Sequence, residues 1–374
     1  MTATPLPSTV AGYEELSRKL FPRSQFEMLF GTYGDPEWPT YNNNLDGFAK
    51  LCLRPRVLVD VSRRNLTTEV LGQKVSLPVL LDPIGPQTFA HPEGELATAR
   101  AAGRAGTVMA LSTASSYSLD KVAEVATGPL WFQLFVFKDR SLAEYLVQRA
   151  QAAGYRGLAI TVTLQVAQPR TRDIVPYAAS DMGLSHFAGL DLPNLPTLHG
   201  MIDNFDQALT WRDLAWLRSL TSMPLIVKGI QTAEDARLCI EHGVDAIVVS
   251  NHGGRSLQGA RATIQALPEI ASEVGDRLEV YLDGGVRRGT DVLIALALGA
   301  RAVLIGRPMI WGLSVAGEAG VRGVIEVLRT ELDGAMAQTG VTDVRNVERS
   351  LVTERGAGLN ISPPPRLDSE PALR

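Results

Sequence analysis

Cysteine is nearly absent: the 374-residue chain has two, Cys52 and Cys239, each isolated among apolar neighbours. Without CxxC or His-rich spacing they argue against a disulfide framework or a zinc site, and they read as core thiols. Also missing is any block of basic residues. With a formal net charge of −4, the chain has no electrostatic footprint for nucleic acid or an anionic membrane. No run approaches the ~18 apolar residues of a membrane span, and the first residues lack the basic and apolar regions of a secretory leader. The expectation is a soluble, cytoplasmic protein whose partner is a small molecule, with neither nucleic acid nor membrane bound.

The hydrophobic fraction of 45% and charged fraction of 20% suit one large domain with a substantial core. Eight short apolar runs rich in β-branched residues punctuate the chain at 78–84, 107–112, 130–136, 158–163, 225–229, 246–250, 280–284 and 302–306. Continuous apolar runs suit parallel strands buried on both faces, and the helix-like segments between most of them complete a βα rhythm. Eight such units predict an α/β fold, the (β/α)8 TIM barrel. Residues 93–105 read as an alanine-rich helix stopped by Gly106, and Thr232 as the cap of a helix with early acids.

Three regions fall outside the rhythm. Residues 1–75 precede the barrel and predict a helical extension over one of its faces; the barrel itself occupies 76–345, and 346–374 form a tail, in which Ser362-Pro-Pro-Pro365 reads as an extended arm or a frayed end. Between the fourth and fifth runs lie about sixty residues, against the usual ~2–6 for a βα loop. Their segment 167–211 reads as a lid over a site, or as an excursion without structure.

The chemistry gathers at the strand ends. Val249-Ser-Asn-His-Gly-Gly-Arg255 sets a histidine and an arginine three residues apart after the sixth strand. There imidazole can move a proton, and guanidinium can hold a carboxylate by two parallel bonds. After strands 7 and 8, Asp283-Gly-Gly-Val-Arg-Arg-Gly289 and Ile305-Gly-Arg-Pro308 place glycines and arginines at the usual phosphate position of a barrel. Each motif alone reads equally as a turn; together they favour a phosphate. Lys228, inside the apolar fifth strand, requires a negative partner, whether a bound anion or a structural ion pair. Ser112, Gln133 and Thr161 supply polar groups near other strand ends.

In these motifs the chain resembles the FMN-dependent α-hydroxy acid oxidases and dehydrogenases. The likeness runs from about residue 21 to about 340 and includes Arg54-Pro-Arg-Val-Leu-Val-Asp-Val61 and Ala90-His-Pro-Glu-Gly-Glu-Leu-Ala-Thr-Ala-Arg100. It implies FMN, with its phosphate near Gly285, Arg287, Gly306 and Arg307 and its ribityl chain near Asp283. Lys228 would face the N1 and C2 carbonyl edge, with Ile84, Ser112, Gln133, Thr161 and Ser250 around the ring. It further implies His252 as base, Arg255 as carboxylate anchor, Arg170 as a second cation, oxygen or another electron acceptor as second partner, and a homo-tetramer or homo-octamer.

The chain departs from the resembled pattern within that site. Where the family's fourth strand ends in Thr-Val-Asp, with the aspartate holding the histidine, this chain has Thr163. Phe135 replaces the third-strand tyrosine, and Met28 aligns with an N-terminal substrate-binding tyrosine, for which Tyr33 is the alternative. Ala114 stands where glycolate oxidase has a tryptophan. The first strand ends Asp82-Pro-Ile-Gly85 instead of an Ala-Pro-Thr-Ala type, and Asp82 is either a relocated partner for a basic group or a satisfied structural acid. These changes predict a wide, apolar pocket for a bulky 2-hydroxy acid. The alternative is a repurposed FMN enzyme acting on a larger biosynthetic substrate.

Overall fold

Eight parallel strands close into a barrel in a computed structural model that describes residues 5–163, 185–187 and 198–356. In chain order, strands 1 to 8 are Val79–Leu81, Met109–Ser112, Leu130–Leu134, Leu158–Thr161, Leu225–Ile230, Ala246–Val249, Glu279–Leu282 and Ala302–Ile305, each hydrogen-bonded to its sequence neighbours and strand 8 closing on strand 1. Six of the eight are buried at every position. That is why they read as unbroken apolar runs rather than alternating ones.

The barrel interior is a packed core. Trp131 and Tyr281 fill it, ring centroids 5.4 Å apart, among the small residues Ala110, Ala159, Ala246 and Ala302. A hairpin of Thr68–Val70 and Gln73–Val75 adds Val70 and Val75 to the same cluster. Gln73 accepts from the Trp131 indole at 3.1 Å, and the Leu71 N–H donates to Glu279 at the start of strand 7. With the N-terminal mouth plugged in this way, chemistry is left to the C-terminal mouth.

The predicted helix signals hold. The helix Gly94–Ala105 ends on Gly106 at φ 68°, a left-handed cap, and Thr232 Oγ1 accepts from Asp235 N to open Ala233–Glu241. Ahead of the barrel lie three helices, Val10–Leu20, Arg23–Phe30 and Pro39–Ala49. The first packs on the long closing helix Arg307–Thr339, where Ser17 and Ser314 hydroxyls bond at 2.8 Å. The third lies against the turn after strand 6 and is described with the site below.

Two expectations change. The N-terminal region is not only helical, since it also supplies the hairpin and the strand Leu51–Leu53. The latter pairs antiparallel with Val352–Glu354, joining segments before and after the barrel; the Ser362-Pro-Pro-Pro365 stretch read as an arm or a frayed end lies outside the described residues. The predicted strands also overrun. Asp82, Ile84, Thr163, Ser250, Asp283 and Gly306 lie just past the last ladder residue of their strands, because the chain there turns out of the sheet to present side chains at the mouth. Most of the lid-like segment 167–211 lies outside the described residues. No helix among the described residues is long and apolar enough to cross a membrane.

Candidate active site

Lys228 is the centre of the buried charge. Strand 5 carries it inward, opposite Thr161 on strand 4 and Val248 on strand 6. Its ammonium donates to Asp283 and, at 3.1 Å, to the Ser250 hydroxyl, and it lies 3.3 Å from Asp82 Oδ1. Burial pulls the ammonium towards losing its proton, but the two carboxylates outweigh it and its pKa is raised. The same crowding acts oppositely on Asp82. Burial first, and then the Asp283 charge, outweigh Lys228 and raise its pKa to about 7. Asp82 is therefore a partner for a basic group, and one lysine serves two acids.

Ser250 connects this cluster to His252, for its Oγ also accepts the His252 backbone N–H at 3.1 Å. His252 adopts φ 58°, a conformation rare for a residue with a side chain. Its Nδ1 lies 3.0 Å from Thr163 Oγ1, and its ring stacks at 6.4 Å on Phe135, which stacks at 4.4 Å on Phe205. Gly229, at φ 127° beside a register shift in strand 5, is essential to this arrangement: a Cβ there would lie 2.6 Å from Thr163 Cγ2.

Arg255 donates from Nη1 to the Leu29 carbonyl at 2.7 Å, its guanidinium 5.7 Å from the Trp38 ring centre. The contact brings helix Arg23–Phe30, which carries Met28, beside the His252 turn. Helix Pro39–Ala49 locks the other side of that turn. Asn44 and Asn251 exchange side-chain hydrogen bonds of 2.8 and 2.7 Å, and Asn44 also accepts the Thr263 N–H. Gly254, at φ 78°, lets the backbone of Tyr41 approach where a Cβ would meet its nitrogen at 2.4 Å.

Arg287 and Arg307, the two arginines expected near a phosphate, share aromatic support. Arg307 lies 4.4 Å from the centre of Tyr41, and Arg287 lies 5.0 Å from that of Trp311 and 6.0 Å from that of Tyr41. Arg307 bonds the carbonyls of Phe30 at 2.5 Å through Nε and Gly253 at 2.8 Å through Nη1. The Arg287 and Arg288 N–H groups donate to Asp291, whose pKa burial raises to about 6. Gly285 makes room for the Asn44 carbonyl, and Gly306 for Ile84, whose Cδ1 lies 3.1 Å from where a Cβ would stand.

Ser112 donates to Gln133 Oε1 at 3.2 Å, Ala114 N donates to Ser112 Oγ at 3.1 Å, and Thr161 is buried on strand 4. Tyr33 does not enter the site: it is 57% exposed and its hydroxyl donates to Asp46. Arg170 lies outside the described residues. Sequence reasoning missed Asn44, Trp38, Tyr41, Trp311 and His186. The last is fully buried; its Nδ1 accepts the Leu119 N–H, and its Nε2 lies 3.1 Å from the Ser112 carbonyl and 2.9 Å from Ser115 Oγ. Only the polar run Tyr41-Asn-Asn-Asn44, inside a helix that needed a buried face, hinted at the first group. His186 gave no signal in a stretch without periodicity.

The polar atoms fit FMN. Gln133 Nε2 and Asp283 Oδ1 are buried with no hydrogen-bond partner, a cost proteins rarely bear without a ligand or water. A donor at Gln133 on strand 3 and the ammonium of Lys228 on strand 5 suit the carbonyl-bearing edge of a flavin ring, and an acceptor at Asp283 suits a ribityl hydroxyl.

Comparison with known proteins agrees. The model of a family described as FMN-dependent dehydrogenase matches residues 17–354. An L-lactate oxidase from Nostoc is 47% identical over 94% of this chain and 100% of its own length, and a spinach glycolate oxidase is 40% identical over 92% and 95%. A soluble mutant of the membrane-associated (S)-mandelate dehydrogenase from Pseudomonas putida superposes with a TM-score of 0.84 at 37% identity, covering 93% of this chain and 99% of that one.

Proposed function

The chain belongs to the FMN-dependent dehydrogenase family, that of the α-hydroxy acid oxidases and dehydrogenases, and on that premise we propose that it oxidises a bulky 2-hydroxy acid to the 2-oxo acid. FMN, when bound, supplies the acceptor for a hydride or its equivalent, and oxygen or another acceptor restores it. Arg255 holds the substrate carboxylate; Arg170 is proposed as a second cation. Because Thr163 holds His252 Nδ1, Nε2 is the nitrogen that takes the substrate proton. Thr163 holds the ring plane, but its hydroxyl can donate or accept and adds no charge, so the imidazolium formed is stabilised less than beside a carboxylate. Lys228 offers positive charge to the ring edge, while Phe135 and Phe205 exclude water from the base.

The observation that carries the bulky substrate is the stack His252–Phe135–Phe205, an apolar wall against the base, with the small Ala114 at the neighbouring strand end. A small polar hydroxy acid leaves such a wall unfilled, whereas an aryl or long alkyl group covers it. Anaerobic bleaching of the bound flavin across glycolate, L-lactate, aryl-substituted and long-chain 2-hydroxy acids tests this without reference to the acceptor. Bulky acids should bleach the flavin faster; equal or faster bleaching by glycolate would overturn the reading.

Thr163 favours a second reading, in which the scaffold oxidises a larger biosynthetic molecule that makes less demand on an imidazolium. Bleaching by no simple 2-hydroxy acid, with FMN bound, is its signature.

A further inference from the structure

The first strand of this chain ends in a carboxylate where the resembled pattern has none. Asp82 Oδ1 stands 3.3 Å from Lys228 Nζ, while Asp283 takes the lysine's hydrogen bond. Asp82 Oδ1 is buried and makes no hydrogen bond of good geometry. The charged groups around it are Lys228 on strand 5, Asp283 after strand 7, and Arg307 at the start of the closing helix. With both acids ionised, the lysine and its two carboxylates sum to −1; with Asp82 protonated, to zero. Lys228 is also the residue that faces incoming negative charge. The Asp82 side chain is 15% exposed at the mouth.

We infer that Asp82 is a positioning residue for charge: it acts through Lys228, binding one proton from solvent when two electrons arrive at the FMN and releasing it when they leave. The balance is complete. The 2-hydroxy acid loses two electrons and two protons; both electrons and one proton go to the FMN, and the second proton goes to His252 and on to solvent. Asp82 takes one further proton from solvent, which cancels the negative charge added beside Lys228. Reoxidation returns that proton. The pKa of Asp82, raised to about 7 before any electron arrives, sets where the coupling begins. Below it Asp82 already holds the proton; above it the proton must be taken up. The inference rests on FMN at Lys228 and not on the identity of the substrate.

The test is the two-electron midpoint potential of the holoenzyme from about pH 6 to pH 9, measured by dye equilibration for the wild type and Asp82→Asn. Above about pH 7 the wild-type potential should fall more steeply than that of Asp82→Asn by one extra proton per two electrons. That is tenfold per pH unit, about 30 mV. The variant's potential should lie higher at pH 8, and the two curves should converge below pH 7. Parallel curves would overturn the inference. Should Asp82→Asn fail to hold FMN, an indicator dye reads proton uptake on photoreduction of weakly buffered wild type. One more proton per flavin at pH 8 than at pH 6 supports the coupling, and equal uptake sinks it.

Discussion

Thr163 Oγ1 lies 3.0 Å from His252 Nδ1, and the contact exists because residue 229 is glycine. A hydroxyl here holds the imidazole ring without a carboxylate's charge and, since it can donate as well as accept, without dictating the tautomer. In a serine protease, neutralising the analogous aspartate costs ~10⁴ in turnover by leaving the wrong tautomer, so both charge and tautomer are at stake at this position. Thr163→Asp should raise the His252 pKa by ~1–3 units, moving the rising limb of flavin reduction against pH upwards. It should also speed reduction by a bulky hydroxy acid up to ~10²-fold, or ~2.7 kcal/mol of barrier. Rapid-mixing bleaching measures both. An unmoved limb would show that residue 163 does not act on the base.

Phe135 presents a ring and no hydroxyl to the face of His252. Phe135→Tyr should improve reduction by glycolate and L-lactate, by roughly tenfold if the new hydroxyl bonds the small substrate with ~1.4 kcal/mol, and leave aryl substrates within a few-fold. Steady-state kcat/KM across both classes decides it; a uniform loss for all substrates would mean that the stack with Phe205 matters more than the added donor.

Lys228 neutralises two buried acids. Lys228→Met removes the charge and leaves them facing each other, and breaking a buried pair costs about 3–5 kcal/mol. Urea unfolding of the apoprotein at pH 8 should show that loss, smaller at pH 6, where Asp82 can hold a proton. Equal losses at the two pH values would contradict a raised Asp82 pKa.

His186 is a neutral histidine by construction. The Leu119 N–H donates to Nδ1, so the proton sits on Nε2, towards the Ser112 carbonyl. Burial lowers its pKa to about 4, against an unfolded value near 6.5. The unfolded chain therefore binds a proton that the folded chain refuses, and stability present above pH ~6.5 is lost as pH falls towards 4. The loss reaches about 3 kcal/mol. His186→Asn should lower stability at pH 7.5 yet flatten this slope; an unchanged slope in denaturant titrations would remove His186 as its source.

What the sequence revealed follows from how locally each feature is encoded. The barrel was legible because strands buried on both faces are largely apolar, as in Ala246–Val249, and because Gly106 and Thr232 mark helix ends by their own chemistry. Lys228 was legible as a charge inside an apolar run and His252 by its spacing from Arg255 after the sixth strand, whereas Asp283 gained its role only through the family resemblance. The edge pairing of Leu51–Leu53 with Val352–Glu354 was not, since three residues joined across the whole chain carry no local signature. Asn44 and His186 escaped for the same reason: their meaning lies in Asn251 and Leu119, which nothing near them in sequence announces. Asp82 was noticed as an oddity, but only the fold showed that it shares its lysine with Asp283.

The reciprocal amide pair of Asn44 and Asn251 joins positions 207 residues apart. At a synthesis rate of ~5–20 residues per second, helix Pro39–Ala49 leaves the ribosome about 10–40 s before its partner turn exists. Through that interval the helix has its own sequence but not its seat, and the mouth of the barrel lacks one wall. The wall arrives only once the turn after strand 6, Thr263 and the Gly284-Gly285 turn have been made. Nascent chains ending before these residues should hold no FMN, which makes cofactor capture a late event in the life of each molecule and a marker that the barrel has closed.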